Sequence, residues 1–353
     1  MRKNNSFTTS ILAAGALALA FIAGAANAAP PPPTLATPQL IEAAKKEGKV
    51  VWYTSVDLAV AEKVARAFEA KYPGIAVRVE RSGAERVFQR LGQEYSSKIY
   101  AADAVNSSDA AHLIVWKRDG WLAADVPEDV AKHYAPEYRD PDGMFASWRS
   151  SPSVIGYNTK LVTKEEAPKS FKDLLDPKWT GKIVKAHPSY SGTILTATFQ
   201  IARDLGWEYF EKLSQQKVMQ VQSATEPPKK IALGERAIMA DGNEYILFQM
   251  KEKGEPVEIV YPTEGTPNVI GPSAILKNAP NPNAAKLFNH FLFTQECQQL
   301  IVDVGGLRSF HPLVKEKAGR KPLKEIKLMK EDPAAVEKQV EEIKARYTKY
   351  FKV

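Results

Sequence analysis

A predicted strand opens into a predicted helix through the stretch Ala237-Ile238-Met239-Ala240-Asp241-Gly242-Asn243-Glu244-Tyr245. Its first four residues are apolar and predict a short buried strand, and residues 246–253 predict the helix. The polar residues between them have two explanations. Asp, Gly and Asn are typical of a turn followed by a capped helix. They are also typical of a ligand site, because loops at the carboxyl ends of strands line the binding crevice of an open α/β sheet.

Strands and helices alternate on both sides of this stretch. In the first half, residues 50–53 and 75–79 predict strands, and residues 58–71 predict an amphipathic helix between them. The second half repeats the pattern from a strand at 182–186 to a strand at 257–261. This order predicts an α/β fold built from two doubly wound lobes.

Small polar residues or carboxylates follow six of the predicted strands. Capping accounts for a Ser or Asn at any one strand end, but two lobes that face each other across six such ends form a cleft. We therefore predict a ligand cleft lined by Thr54, Ser55, Asp57, Ser82, Gly83, Asn106, Ser107, Ser108, Ser191, Gly192, Thr193, Thr225, Asp241, Asn243, Glu244 and Tyr245.

The amino terminus has the pattern of a secretory signal peptide. Arg2 and Lys3 precede an apolar run at 11–26, and a small-residue site ends at Ala28, so we predict cleavage after Ala28 and a periplasmic protein. The remaining chain is expected to form lobe 1 from 29–150 and 272–320, lobe 2 from 151–271, and a C-terminal helical segment, 321–353, that the sequence assigns to neither lobe.

Composition narrows the class of protein. The formal net charge of +7 is spread along the chain, and the lysine-rich segment 315–330 contains no aromatic residue, which argues against nucleic-acid binding. Cys297 is the only cysteine, so the chain forms no internal disulfide and no thiolate metal cluster. Because 44% of the residues are hydrophobic, an ordinary core can support the fold, and we expect a soluble monomer.

Several segments resemble the periplasmic solute-binding proteins of ABC importers. The resemblance rests on residues 51–55 (VWYTS), 102–109 (ADAVNSSD), 179–183 (WTGKI), 191–193 (SGT) and 279–288 (APNPNAAKLF). More narrowly, the chain resembles the ferric-iron-binding branch, whose relatives bind phosphorylated or phosphonate solutes, thiamine and polyamines. The resemblance implies a type II periplasmic binding protein fold with crossing hinge strands. Two lobes then close around a small solute and deliver it to an inner-membrane ABC permease; a sensory protein that reports the solute to a membrane receptor needs the same closed form and is the alternative role.

For the solute, the resemblance implies two alternatives. Iron-binding members present a histidine, a glutamate and two tyrosines where this chain has Asp57, Ser108, Glu244 and Tyr245, so only Tyr245 matches. One alternative is Fe(III) held by the oxygens of Asp57, Glu244 and Tyr245 together with an anion.

The favoured alternative is a solute with a phosphate-like group. Ser191-Gly192-Thr193 opens a predicted helix, whose free N–H groups and dipole attract an anion. Hydroxyl or ammonium groups of the same solute would then face the carboxylates of the cleft. We predict no resident cofactor.

A secreted hydrolase is the alternative from a different class. The chain contains no Gly-x-Ser-x-Gly elbow and no His-Glu-x-x-His helix. Asp241 and Glu244 lie three residues apart at one helix start, whereas paired catalytic carboxylates flank a substrate from separate elements. We therefore expect a binding protein and no enzyme.

Overall fold

The computed structural model describes Met1 and residues 31–353, so the predicted signal peptide and its cleavage site lie outside the described residues. The strands are β1 (Lys49–Thr54), β2 (Ala76–Arg81), β3 (Ala104–Asn106), β4 (Leu122–Ala123), β5 (Ala146–Pro152), β6 (Ile155–Asn158), β7 (Ile183–Ala186), β8 (Met219–Val221), β9 (Ile238–Met239), β10 (Val257–Val260) and β11 (Asn268–Leu276). The helices are α1 (Pro38–Glu47), α2 (Leu58–Lys71), α3 (Ala84–Ser96), α4 (Ala110–Arg118), α5 (Glu128–His133), α6 (Gly192–Leu205), α7 (Trp207–Ser214), α8 (Glu226–Ala232), α9 (Glu244–Glu252), α10 (Pro282–Phe293), α11 (Gln295–Asp303) and α12 (Pro333–Phe351).

Two mixed sheets form the centres of two lobes. In lobe 1 the strand order is β2-β1-β3-β11-β4, with β1 parallel to β2 and β3, and β5 pairs with β11. In lobe 2 the order is β10-β6-β9-β7-β8, with β7 parallel to β8 and β9. Helices connect the parallel strands, as crossover connections require. The predicted α/β fold with two doubly wound lobes is thereby confirmed.

The helices form where the apolar residues recur at helical spacing. In α2, Val60, Val64 and Phe68 are buried on one face, and the Asp57 carboxylate accepts a hydrogen bond of 3.1 Å from the backbone N–H of Ala59. This cap satisfies one of the backbone donors that the first helical turn leaves free. The sequence pattern and the structure therefore agree on the bounds of α2.

Strands β5 and β11 connect the lobes. They pair antiparallel from Asn268 opposite Pro152 to Ser273 opposite Ala146, with an irregularity between Gly271 and Pro272. A proline has no N–H to donate to a ladder, which accounts for an irregularity at this place. The predicted lobe boundaries fall within this strand pair and stay a prediction.

Each lobe has its own aromatic core. In lobe 1 the ring of Trp52 meets Trp148 and Phe288 edge to face, with ring centroids 5.8 and 5.2 Å apart. In lobe 2, Phe171 and Phe210 are fully buried around β7. Among the described residues, no helix has both the length and the apolar character that a membrane span requires.

Helix α12 contacts both lobes. It packs against α4 of lobe 1 and against α6 and α7 of lobe 2. Its buried side chains Val336, Ile343 and Tyr347 lie on one helical face. The C-terminal segment that the sequence left unassigned is therefore shared between the lobes.

Candidate functional site

The two lobes touch across the predicted cleft. A Cβ added to Gly83, at the start of α3, would lie 2.5 Å from the carbonyl oxygen of Tyr190. A Cβ added to Gly192, at the start of α6, would lie 2.9 Å from the Cβ of Asp109. Because these pairs belong to opposite lobes, the structure shows the closed arrangement of the cleft.

This close approach makes Gly192 a sensitive position. We expect Gly192→Ala to reduce solute affinity roughly fivefold or more, since overpacking of a close contact costs about 1–3 kcal/mol and tenfold corresponds to about 1.4 kcal/mol. The folded lobes should be unaffected, because the added methyl group meets the other lobe. Circular dichroism and calorimetric titration would measure the two properties.

Gly92 offers the matched control. It lies within α3, and a Cβ added there would meet no atom within 4 Å. We expect Gly92→Ala to keep the affinity of the wild type and to be slightly more stable, because Ala is the better helix former. Equal affinities for both alanine variants would contradict the closed arrangement.

The strand ends of lobe 1 form one hydrogen-bonded wall. The hydroxyl of Thr54 donates to the side-chain oxygen of Asn106 over 3.3 Å, and the Asn106 amide donates to the Pro272 carbonyl over 2.8 Å. The Ser55 hydroxyl is buried and has no hydrogen-bond partner among the described residues. Ser108 faces lobe 2, because its hydroxyl would lie 3.3 Å from a Cβ added to Gly192.

The first turn of α6 forms the opposite wall. The Ser191 hydroxyl accepts a hydrogen bond of 3.4 Å from the Ile194 backbone N–H, and Thr193 is buried. The N–H groups at a helix start have no acceptor within the helix, so those of Gly192 and Thr193 are free to bind an anion. Nearby, the hydroxyls of Thr225 and Ser223 lie 3.0 Å apart.

A residue that the sequence did not single out, Arg149, lies between the lobes on β5. Its side chain packs against Gly271 of β11, where an added Cβ would lie 2.7 Å from the guanidinium carbon. Only 2% of Arg149 is exposed. Within the described part of the chain, its Nε atom has no hydrogen-bond partner and no carboxylate pairs with it. Burial lowers the pKa of Arg149 to about 10, so it remains a cation at neutral pH.

Tyr245 lies beside this cation. Burial raises the pKa of Tyr245 to about 12, whereas the charge of Arg149 acts in the opposite direction. The phenol is therefore protonated at neutral pH and can donate a hydrogen bond. Asp57 lies near it but uses its carboxylate to cap α2.

Two carboxylates of the opening stretch are bound to cations of the protein. Glu244 is fully buried and accepts hydrogen bonds of 2.6 Å from both Arg308 and Arg320. Asp241 forms a buried ion pair of 2.6 Å with Lys185. The structure therefore does not leave the charges of Glu244 and Asp241 free for a ligand, contrary to our expectation from the sequence.

The remaining predicted residues lie at the cleft or beside it. Asn243 accepts a hydrogen bond of 3.3 Å from the Ser151 hydroxyl of β5, and Ser82 donates its N–H to the Thr54 carbonyl. Ser107 lies in the loop after β3, where its hydroxyl is 2.9 Å from Nδ1 of His112. Glu244 is separated from the other two residues of the predicted metal set, because it is directed at Arg308, whereas Asp57 and Tyr245 lie near each other.

The arrangement as a whole is suited to an anion. A buried guanidinium without a counter-charge is costly in a low-dielectric site unless a partner supplies the negative charge. Arg149 was missed because three of the seven residues of β5 are serines, so this segment does not have the pattern of a buried strand. The sequence feature that could have indicated Arg149 is that it is the one charged residue in the segment 143–152.

Comparisons with known proteins give matches over more than half of the chain. A family model described as a bacterial extracellular solute-binding protein matches residues 94–328. An uncharacterized protein of Haemophilus influenzae is 27% identical over 311 residues, which cover 84% of this chain and 81% of that protein.

Two solved structures share the fold. The periplasmic binding protein AfuA from Actinobacillus pleuropneumoniae, with fructose-6-phosphate bound, has a TM-score of 0.80 at 24% identity and covers 87% of this chain and 99% of its own. Iron-bound HitA from Pseudomonas aeruginosa has a TM-score of 0.73 at 24% identity and covers 85% of this chain and 99% of its own. The type II periplasmic binding protein fold is thereby confirmed, and the two neighbours differ in what they bind.

Proposed function

This chain belongs to the family of bacterial extracellular solute-binding proteins, and from that membership we propose that it captures a small organic anion, with a phosphate-like group, for an ABC transporter. The anion pairs with Arg149 at the floor of the cleft. The first turn of α6 and the serine hydroxyls of the facing wall supply further donors.

The observation that carries this proposal is the guanidinium of Arg149, which has no counter-charge in the described part of the chain. Arg presents several N–H donors in a planar fork that fits two oxygens of a phosphate or a carboxylate. Its burial removes competing water, so a charge-assisted hydrogen bond there is stronger than at the surface. A neutral solute would leave this cation without a partner.

The first turn of α6 supports a phosphate-like group in particular. Free backbone N–H groups at Gly192 and Thr193 point outward from the helix start, where the helix dipole favours negative charge. Gly192 lacks a side chain, which lets the facing wall of lobe 1 close tightly over this helix start. A group with three or four oxygens can accept hydrogen bonds from these N–H groups with some of its oxygens and from Arg149 with others.

The rest of the solute would face neutral polar groups. Tyr245, Asn243 and Ser55 offer a phenol, an amide and a hydroxyl at the cleft, and none of them carries a charge at neutral pH. Hydroxyl groups of a sugar or polyol match such partners. The proposed solute class is therefore a phosphorylated polyol or sugar.

Delivery of the solute to the permease depends on closure of the cleft. Each lobe contributes one wall of a single cleft, so one copy of the chain holds a complete site and can act as a monomer in the periplasm. The closed form presents surfaces of both lobes together, which is what a permease in the inner membrane would recognise.

Fe(III) is the second candidate, because HitA, which shares the fold, is iron-bound. Tyr245 would have to bind the metal as a phenolate. Burial opposes its ionisation, and the charge of Arg149 beside it would also repel a trivalent cation unless an anion accompanied the metal.

Calorimetric titration tests the proposal. The protein, purified without unfolding and dialysed exhaustively, is titrated with fructose 6-phosphate, other sugar phosphates, an aminophosphonate, fructose, inorganic phosphate and ferric citrate. We expect heat from the phosphate-bearing probes and none from fructose. Tight ferric binding, with no response to fructose 6-phosphate, other sugar phosphates or aminophosphonates, would refute the proposal.

A further inference from the structure

Helix α12, called here the bridging helix, is anchored in lobe 2 near its carboxyl end. Tyr347 is fully buried in the core cluster that contains Phe210, and its hydroxyl donates a hydrogen bond of 3.0 Å to Gln220 of β8. The guanidinium of Arg346 lies over the ring of Trp207 at 5.3 Å. These contacts tie the last turns of the helix to α7 and β8.

The same helix is bound to lobe 1 through its middle and its first turns. Ile343 and Val336 share a buried cluster with Ala111 of α4, and this cluster also contains Leu195 and Phe199 of α6. Lys344 pairs with Glu85 of α3 at 2.8 Å, and Glu337 pairs with Arg118 of α4 at 2.8 Å. Whichever lobe the helix follows when the cleft opens, it loses buried contacts or ion pairs with the other lobe.

The ion pair of Lys344 continues into the cleft through hydrogen bonds. Glu85, which is 2% exposed, binds Lys344 with one oxygen and accepts from Nε2 of His112 with the other, at 2.9 Å. Nδ1 of His112 is 2.9 Å from the Ser107 hydroxyl, which accepts a bond of 3.0 Å from the Asp109 backbone N–H. Lys344 is thereby connected to the loop of lobe 1 that touches α6.

We infer that the bridging helix biases the two lobes toward the closed arrangement before a solute arrives, with Lys344 as a positioning residue that acts through Glu85 and His112. The loop at Ser107 and Asp109 is then held in place against α6 in the free protein. A solute binds more tightly to a protein whose competent form is already populated, because less of the binding free energy is used for closure. The inference uses the closure of the cleft but not the chemical identity of the solute.

Distance measurements on the ligand-free protein test this inference. Spin labels on Lys63→Cys of α2 and Glu211→Cys of α7, both exposed, report the separation of the lobes, and the native Cys297 is buried and can stay. We expect a short-distance population in the wild type. Lys344→Met should reduce the ratio of closed to open molecules about tenfold. The ion pair of Lys344 with Glu85 is intermediate in burial, so its contribution should lie between those of an exposed and a buried pair.

Three variants separate positioning from general stability. Lys344→Arg keeps the charge and should restore the closed population, and Glu337→Gln, which removes the pair with Arg118, should reduce it independently. Glu342→Gln is the matched control, because it removes an ion pair of 2.7 Å with Arg346 on the same helix. It should leave the distances unchanged.

Three results would overturn the inference: a ligand-free wild type that is entirely open, a Lys344→Met variant with wild-type distances, or an equal shift in Glu342→Gln. None of these readouts requires a phosphate-bearing solute. The inference can therefore fail while the proposed function holds, and the proposed function can fail in the titration while the distances support the bridging helix.

Discussion

Replacing Arg149 with methionine is expected to weaken the binding of an anionic solute roughly thirtyfold or more. Truncating one partner of a buried charge pair costs about 2–5 kcal/mol, and tenfold corresponds to about 1.4 kcal/mol. The affinity is measured by calorimetric titration with fructose 6-phosphate, or with the phosphate-bearing probe that binds the wild type most tightly. Lys at the same position keeps the charge but not the planar fork of donors. The affinity of Arg149→Lys should therefore lie between those of the wild type and Arg149→Met.

The same substitution should leave the ligand-free protein at least as stable as the wild type. Arg149 is 2% exposed and has no counter-charge among the described residues, so its removal relieves an unfavourable burial. Urea unfolding without solute would show this. A large loss of stability together with unchanged affinity would mean that Arg149 supports the fold and does not bind a solute.

Replacing Glu244 with glutamine is expected to have the opposite signature, a large loss of stability with little change in affinity. The substitution leaves the buried guanidinium of Arg320 without a carboxylate among the described residues, and Arg308 keeps only the partly exposed Glu316. Breaking a buried ion pair from one side costs about 3–5 kcal/mol. The free energy of unfolding in urea measures the loss, and titration of the folded protein measures the affinity.

The pH dependence gives a second readout of this ion-pair cluster. Burial alone would raise the pKa of Glu244, but the hydrogen bonds and charges of Arg308 and Arg320 outweigh it and lower the pKa. The stabilisation is thus fully present above the unfolded pKa of about 4.3 and is lost as the pH falls through the folded pKa. The difference in stability between the wild type and Glu244→Gln should therefore be largest near neutral pH and should shrink in acid.

Glu208→Gln provides the control for Glu244. Glu208 pairs with Lys212 at 2.6 Å on the exposed surface of α7, four residues away. Exposed pairs of this kind contribute little, so we expect a stability close to that of the wild type. A stable Glu244→Gln variant that no longer binds solute would show instead that Glu244 faces the ligand, as the sequence alone suggested.

The parts of the fold that the sequence predicts are those with a local pattern. Helix α2 was expected at residues 58–71 and is found there, because its buried residues recur every four positions and Asp57 marks its start. Strand β5 was not expected. Its buried residues include Ser147, Ser150 and Ser151, and its burial comes from pairing with β11, more than a hundred residues away.

In the site, too, the features with a local sequence pattern could be predicted and those that depend on distant contacts could not. The positions of Ser191 and Gly192 at a helix start were expected, because a capping residue and an apolar helix follow directly in the sequence. The environment of Glu244 could not be inferred, since its cations, Arg308 and Arg320, lie in a segment between α11 and α12 without a regular pattern. A polar stretch between a strand and a helix is compatible both with a wall of a ligand site and with a buried ion pair, so the local sequence does not distinguish them.

A crystal structure of the protein, purified without unfolding and crystallised with fructose 6-phosphate, would show where the solute binds. The proposed role of Arg149 predicts an anion whose oxygens lie within hydrogen-bond distance of the Arg149 guanidinium, with its organic part near Tyr245. It would be contradicted by a compact metal density bound by Tyr245. It would equally be contradicted by an Arg149 side chain that is paired with a carboxylate of the protein while the anion lies elsewhere.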